Sequence, residues 1–166
     1  MAEKVALITG AGKRMGRAIA LRLARDGFAV ALHYHSSHGE AAQVGREIAA
    51  AGGDVSLVEA DLADPASPDQ MIAASVKALG RLDLLVNNAA IFVGDSMAAL
   101  DLALWRRQFA INLEAPVFLA AAFARSLSAR DEGAIVHSHS AASNDGSSWR
   151  TCTRPTIVRA VASVMT

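Results

Sequence analysis

The sequence predicts an α/β fold in which a doubly wound parallel sheet carries helices on both faces. Three observations support it. Short apolar runs alternate along the chain with longer segments whose apolar residues recur at helical spacing. Glycines follow the helical segments, where a helix end favours them. Strands separated by helices pair in parallel through right-handed crossovers, and such a sheet is buried on both sides.

The first strand is the apolar run Lys4–Thr9, and a glycine-rich turn leads from it into the helix Met15–Asp26, which Gly27 closes. The same reasoning predicts, in chain order, strand Phe28–Tyr34, helix Gly39–Ala51, strand Asp54–Ala60, helix Asp69–Leu79, strand Leu82–Val86, helix Leu102–Arg130 and strand Gly133–Ser138. Pro116 is expected to kink or divide the last of these helices.

This order of elements favours a Rossmann-like arrangement for residues 1–140. Residues 141–166 break the alternation, because they are polar and turn-like before a short apolar end for which the pattern offers no partner. We therefore expect a Rossmann-like domain over residues 1–140, an atypical segment over residues 141–166, and a sheet that is incomplete at its C-terminal side.

Composition narrows the class of protein. The chain has 166 residues, enough for one domain, and its formal net charge is zero, which gives no reason to expect nucleic acid or an anionic membrane as a partner. Its longest apolar stretch, Ala115–Ala124, is shorter than the ~20 residues that span a bilayer. The N-terminus has no signal-peptide pattern, and Cys152 is the single cysteine. A cytoplasmic protein is expected.

The turn after the first strand is suited to a phosphate. Gly10, Gly12 and Gly16 let the backbone turn sharply and approach a ligand closely. The helix that follows offers unpaired N–H groups and the positive end of its dipole. The spacing is Gly-x-Gly-x-x-x-Gly rather than the strict dinucleotide pattern, so a purely structural turn is the alternative. We predict that residues 1–140 form a dinucleotide-binding domain.

The end of the second strand indicates which dinucleotide is bound. A domain that prefers NAD usually has an acid here for the ribose 2′-OH, but "LHYHSSHGE" has none before Glu40. Hydroxyl, imidazole and cationic side chains suited to a 2′-phosphate are instead present: His35, Ser36, Ser37, Lys13 and Arg14. This set favours NADP(H), and an ordinary solvated loop is the alternative.

A zinc site formed by His33, His35 and His38 is conceivable, but strand alternation places only the first two on one face. No metal is therefore predicted.

Two further motifs follow the third and fourth strands. The carboxylate of Asp61 can accept from an adenine amino group, although capping of a turn or helix is nearly as good an explanation. Small residues in Asn87-Asn88-Ala89-Ala90 let a cofactor lie close, while the asparagine amides pin neighbouring strands. Both motifs fall at the carboxyl edge of the sheet, where ligands bind in folds of this type.

Together these motifs resemble the short-chain dehydrogenase/reductase family, and Ile111-Asn112-Leu113 adds to the likeness. The usual family loop has glycine where Arg14 stands. Arg14 with "HYHSS" resembles the pteridine reductase branch, in which this arginine is implied to serve the cofactor phosphate and the pteridine, although arginine often stands in place of Ser36. The resemblance implies that NADP(H) is held by Gly10, Gly12, Lys13, Arg14, Met15, Gly16, Tyr34, His35, Ser36, Ser37, Asp61, Leu62, Asn88, Ala89 and Ala90.

The family resemblance also implies a reaction, which is hydride transfer from NADPH to a C=N or C=O group of a small-molecule substrate. Arg14 and the "HYHSS" motif suggest a pteridine- or dihydrofolate-like ring as the substrate. The full-length family form is expected to be a homo-oligomer. Asn112 matches the helix asparagine that holds a water of the proton relay, and a helix amide that satisfies backbone groups is its alternative. Ser140 falls where the family orients its substrate with Ser or Asp, or is a simple strand-end hydroxyl.

The catalytic pair of the family is missing. Its tyrosine and lysine would stand at Thr153 and Ile157, and the only tyrosine is Tyr34. An alcohol has no pKa that can be tuned near neutrality, so threonine cannot replace the acid. Two hypotheses remain: an NADPH-dependent reductase lineage whose sequence is truncated or altered after about Ser140, or an inactive NADP(H)-binding fragment or regulatory subunit.

Overall fold

The structure is a computed structural model that describes residues 4–94, 98–127, 132–138 and 156–161. Strands and helices alternate as the sequence predicts, with bounds that differ by a few residues. In chain order they are β1 Lys4–Ile8, α1 Arg14–Arg25, β2 Phe28–Tyr34, α2 His38–Ala50, β3 Val55–Glu59, α3 Ser67–Leu79, β4 Leu84–Asn87, α4 Leu102–Phe109, a π-helical turn Ala110–Glu114, α5 Ala115–Ser126, β5 Glu132–His137 and β6 Thr156–Val161.

The sheet has the order β3-β2-β1-β4-β5-β6. The first five strands are parallel, which confirms the predicted doubly wound α/β fold. β6 was not predicted: it pairs antiparallel with β5, with Gly133 opposite Ala160. The described sheet therefore continues past β5, where the sequence analysis expected an incomplete side. The β-branched residues of Thr156–Val161 are typical of a strand.

Two apolar layers cover the sheet, because alternate residues of β1 point to opposite faces. On one face Leu7 and Leu85 pack in a core that includes Phe123 of α5 and residues of α3. On the other face Ile8 packs in a core that includes Ile48 of α2 and residues of α1. Because the first five strands are parallel, their carboxyl ends lie along one edge of this covered sheet.

The long helix predicted over Leu102–Arg130 is interrupted before Pro116 rather than kinked at it. The Ala115 N–H donates to the Ala110 carbonyl five residues earlier, which defines the π-helical turn. Pro116 then stands in the first turn of α5, where it has no N–H to give to the Asn112 carbonyl. The wider turn thus lies where an α-helical hydrogen bond is unavailable.

The helical run Leu102–Ser126 is 25 residues long and, by length and composition alone, apolar enough to cross a membrane. This differs from the short apolar stretch that the sequence analysis considered. Part of its apolar character has a different use, since Leu119 and Phe123 are completely buried in the core. Another part stays at the surface, where the rings of Trp105 and Phe109 lie 4.6 Å apart between centroids.

Gly133→Ala is expected to destabilise the fold. A Cβ at Gly133 would lie 2.5 Å from Cζ of Phe123, which is itself buried and cannot move away freely. Such overpacking typically lowers the free energy of unfolding by about 1–3 kcal/mol. Urea denaturation measures the loss. Gly39→Ala is the control, because a Cβ there meets nothing within 4 Å and alanine suits a helix; equal midpoints for the two variants would contradict the prediction.

Candidate functional site

The glycine turn lies at the carboxyl edge of the sheet and is packed too closely for side chains. Gly10 has φ +66°, a backbone conformation that glycine adopts without strain. A Cβ on Gly16 would collide with the Gly10 carbonyl and lie 2.7 Å from Nδ2 of Asn88. The first turn of α1 therefore sits directly against the end of β1, which places the helix N-terminus at this edge.

Hydrogen bonds from β4 hold one side of the turn. The Thr9 hydroxyl accepts from the backbone N–H groups of Asn88 and Ala89, at 2.9 Å each, and donates to the Val86 carbonyl at 3.3 Å. The Asn88 amide donates back to the carbonyls of Thr9 at 2.8 Å and Gly10 at 3.3 Å. The predicted pinning of neighbouring strands is thus made by Asn88, while Ala89 lies against Gly10.

His33 of β2 holds the other side of the turn. Its Nδ1 accepts from the Gly10 N–H at 3.1 Å, and its backbone carbonyl accepts from the Ala11 N–H at 2.9 Å. Its Nε2 lies 3.2 Å from the Ala60 carbonyl, which can only accept. His33 is therefore the neutral tautomer that carries its proton on Nε2. In the sequence His33 is a candidate only for a zinc ligand, and the signal for its structural role is an imidazole within an otherwise apolar strand.

Burial keeps this imidazole neutral. Desolvation lowers the pKa of His33 to about 4, against a smaller opposing effect of the hydrogen bond to Ala60. His35 lowers this pKa further and Asp61 raises it. With both ring nitrogens committed to backbone groups, His33 is not free to bind a metal. Across the ranges that the structure describes, no group of three His, Cys, Asp or Glu side chains could hold a metal ion.

Basic and hydroxyl side chains lie at or beside the turn. Arg14 is exposed and has φ +48°, the one positive φ outside glycine among the described residues. The Lys13 ammonium pairs with the Glu40 carboxylate at 2.7 Å. The Ser37 hydroxyl lies 3.3 Å from the position of a Cβ on Gly12, so the start of α2 approaches the turn.

His35 and Ser36 are exposed at the end of β2, on the loop that leads to α2. His35 Nε2 lies 3.8 Å from the Asp61 carboxylate. Asp61 also accepts from the Ala63 N–H at 3.0 Å and from the Arg107 guanidinium at 3.3 Å. The Ala63 N–H and the Arg107 guanidinium lower the pKa of Asp61 against an opposing effect of desolvation. The turn-capping alternative for Asp61 is therefore present, and its contact with adenine stays a prediction.

Other predicted cofactor residues have contacts of different kinds. Met15 is half-buried, and its sulfur lies 3.9 Å from the Ser138 hydroxyl beyond β5. Leu62 is buried in the core on the α3 and α5 face. Tyr34 is also buried and donates to the Glu59 carboxylate at 3.1 Å. Ala90 is exposed beyond β4. Lys13, Arg14 and Ser37 thus lie at or beside the turn, and the side chains of Leu62 and Tyr34 pack and pair within the protein. The contact of each with a cofactor stays a prediction.

The side chain of Asn112 is committed to the backbone beyond β4. Its Oδ1 accepts from the Ile91 N–H at 2.9 Å, and its Nδ2 donates to the Ile91 carbonyl at 2.7 Å. Asn112 therefore satisfies backbone groups, although it does so at an exposed site. Its role in a proton relay stays a prediction. Ser140 lies outside the described residues.

Comparison with known proteins identifies the family of this chain. The family model for short chain dehydrogenases matches residues 4–152. This chain belongs to the short chain dehydrogenase family. It is 40% identical over 110 residues, or 66% of its length, to an uncharacterized oxidoreductase of Methylorubrum extorquens, and covers 44% of that protein. It is 36% identical over 137 residues, or 81% of its length, to an L-rhamnose 1-dehydrogenase (NAD(P)(+)) of Azotobacter vinelandii, and covers 54% of it.

Solved structures agree with the fold. FolM alternative dihydrofolate reductase 1 of Brucella canis, complexed with NADP, matches with a TM-score of 0.78 and 37% identity, over 82% of this chain and 54% of that one. A short chain dehydrogenase of Burkholderia cenocepacia in complex with NADP matches with a TM-score of 0.73 and 38% identity, over 75% of this chain and 51% of that one. The chain thus spans about half the length of the proteins it resembles.

Thr9→Val is expected to loosen the turn, since it leaves the N–H groups of Asn88 and Ala89 without their acceptor. Unsatisfied donors that are partly buried make this cost about 2 kcal/mol or more of unfolding free energy. Thr9→Ser keeps the hydroxyl and is the matched control, so its loss should be clearly smaller. Urea denaturation of both variants checks the prediction, and equal losses would attribute the effect to the methyl group instead.

Acid is expected to destabilise the fold through His33. The unfolded chain protonates this imidazole near pH 6.5, but the folded chain does so only near pH 4. The contribution of neutral His33 to the free energy of unfolding is therefore fully present above pH 6.5. It is lost as the pH falls towards 4, and the loss is roughly 3 kcal/mol in all. Asp61 acts in a lower window, because its lowered pKa stabilises the fold above its unfolded value of 3.8.

Unfolding free energies at intervals from pH 7 to pH 4 measure this dependence. The variant His33→Asn, which has no group that titrates in this window, should show a shallower slope than the unchanged chain. Parallel curves for the two proteins would show that other groups cause the acid sensitivity.

Proposed function

We propose that this chain binds NADP(H) at the glycine turn and derives from NADPH-dependent reductases of the cytoplasm. The substrate class proposed is a pteridine- or dihydrofolate-like ring, reduced at C=N, or a related carbonyl compound. The observation that carries the proposal is the conformation of Arg14. An arginine is held in the left-handed region of the backbone, at a place beside the turn where glycine would be unstrained.

The strain at Arg14 argues for a role of its side chain. A left-handed conformation costs a residue with a Cβ about 1 kcal/mol relative to the usual region. Such strain tends to persist at functional sites. The guanidinium is exposed beside the N-terminus of α1, and its rigid fork of donors matches a phosphate. An arginine in this place therefore supports phosphate binding better than a purely structural turn does.

The surrounding donors fit NADP(H). The first N–H groups of α1 have no acceptor within their helix and suit the pyrophosphate. Lys13, Ser36 and Ser37 would hold the 2′-phosphate, and no acid stands between Tyr34 and Glu40 to select the free ribose hydroxyl. When bound, NADPH supplies the hydride. The NADP complexes of the Brucella and Burkholderia proteins support the choice of cofactor.

Binding without turnover is the second candidate function for the chain as given. The sequence has no Tyr-x-x-x-Lys, and its single tyrosine is Tyr34. Desolvation, together with the hydrogen bond to Glu59, raises the pKa of Tyr34, the opposite of what a proton donor near neutrality needs. The similarity to FolM supports the substrate class of the lineage, while this missing pair favours an NADP(H)-binding protein.

The proposal includes self-association in the longer family form. Large apolar side chains of α4, the π-helical turn and α5 are exposed, and a contiguous patch of this kind marks an interaction surface. They are Leu102, Trp105, Phe109, Leu113, Val117 and Phe118.

Arg14→Gly tests the cofactor proposal. Calorimetric titration of the unchanged chain should show tighter binding of NADPH than of NADH. The variant should bind NADPH about tenfold more weakly, because a charge-assisted hydrogen bond to phosphate is lost. It should not be less stable, since glycine relieves the positive φ. Arg46→Ala is the control, because it removes the same charge from an exposed position of α2.

The same samples distinguish the two candidate functions. With NADPH and a dihydropteridine, the unchanged chain should show no substrate-dependent oxidation above background. Measurable turnover would favour the reductase for this chain itself. Failure of the unchanged chain to bind NADPH, or equal binding by Arg14→Gly, would reject the cofactor proposal.

A further inference from the structure

We propose that His33 is a positioning residue for the dinucleotide: its imidazole fixes the Gly10 peptide and so sets the shape of the phosphate-binding turn. The inference rests on the proposed NADP(H) binding and deepens it. It assigns His33 no contact with the cofactor, because both ring nitrogens are bonded to the protein.

The imidazole of His33 lies between the turn and a neighbouring strand end. His33 is 2% exposed and lies between the turn after β1 and the end of β3. Through Nδ1 it receives the Gly10 N–H, and through Nε2 it donates to the Ala60 carbonyl. One side chain on β2 thus links the turn after β1 to the end of β3.

Two successive N–H groups of the turn point to His33. The Gly10 N–H meets the ring of His33, and the Ala11 N–H meets its carbonyl. Both donors are therefore turned into the protein, away from a ligand. The donors left for a phosphate are those that follow, at the start of α1, and their position depends on where the turn is held.

Asn88, just after β4, holds Gly10 from the other side. The Gly10 carbonyl accepts from the Asn88 amide, while the Gly10 N–H donates to His33. Both polar groups of this residue are thus fixed by side chains from different strands. Release of one side leaves the positive φ of Gly10 free to relax, and the start of α1 packs directly on this residue.

An apolar side chain at position 33 would suffice for packing alone. The preceding residues of β2, Ala29, Val30, Ala31 and Leu32, are all buried and apolar. Burying an imidazole among them costs free energy that only its hydrogen bonds offset. Its neutral state, with the pKa lowered to about 4, keeps Nδ1 an acceptor at physiological pH.

Two substitutions of nearly equal size separate the two ring bonds. In His33→Asn, Oδ1 takes the place of Nδ1 and can still accept from the Gly10 N–H, but nothing reaches Ala60. In His33→Gln, the longer side chain carries its amide towards Ala60 and leaves Gly10 without an acceptor. Each variant loses one hydrogen bond, so losses of stability should be similar while losses of cofactor binding should differ.

The experiment is a titration of the unchanged chain and both variants with NADPH at pH 7.5, at a temperature below the unfolding midpoints of all three proteins. His33→Gln should bind about tenfold more weakly than the unchanged chain, as expected for a buried N–H that loses its acceptor. His33→Asn should stay within about threefold of it. Equal affinities of the two variants, or losses that simply follow their unfolding midpoints, would overturn the inference.

Two further outcomes are decisive. If the unchanged chain does not bind NADPH, the proposed function fails and this inference fails with it; normal binding by both the unchanged chain and His33→Gln rejects the inference alone. If neither variant folds, nitrogen NMR of the unchanged chain decides through the tautomer of His33. A proton on Nε2 and a bare Nδ1 support the inference, and the reverse tautomer overturns it.

Discussion

Hydrogen bonds that fix Thr9 and Gly10 determine the structure at the carboxyl edge of the sheet. His33 of β2 and Asn88, just after β4, fix the N–H and the carbonyl of Gly10, while the Thr9 hydroxyl accepts from the Asn88 N–H. Three parallel strands therefore meet at one short turn. The helix that begins after this turn has its N-terminus placed by these bonds, and with it the donors suited to an anion.

Charge around the turn is balanced locally, with Arg14 as the exception. Lys13 is paired with Glu40, and Asp61 with Arg107, so these four charges largely offset one another. The Lys13 pair is half-exposed and contributes little to stability, of the order of 0–1 kcal/mol, so an incoming phosphate can displace it. Within the described residues no ion pair of Arg14 is found, which leaves its charge for a ligand.

Much of the fold follows from local sequence signals, whereas the features missed depend on distant partners. The strands and helices over residues 4–94 are marked by apolar periodicity and by glycines at helix ends, and such signals need no knowledge of tertiary contacts. β6 becomes a strand through pairing with β5, and a short apolar run cannot show its partner. The π-helical turn depends on which carbonyl the Ala115 N–H finds, although Pro116 correctly marked the region.

The candidate site divides in the same way. The glycines and basic residues of the turn can be recognised in the sequence, because they all lie within the short segment Gly10–Gly16. The bonds of His33 and Asn112 are not, since both depend on backbone groups far along the chain, at Ala60 and Ile91. The sequence leaves two roles open for Asp61. Its capping bond from the Ala63 N–H and its ion pair with Arg107 are visible only in the structure.

The residues proposed for cofactor binding do not include a group suited to proton transfer. The groups proposed to hold the dinucleotide lie within the first three strands and their loops, supported by Asn88 after β4. Reduction also needs a proton donor whose pKa lies near the working pH. Tyr34 cannot act as this donor, because it is buried against Glu59 and its pKa is raised. The proposed binding therefore does not depend on a proton donor, which is why affinity and activity must be measured on the same sample.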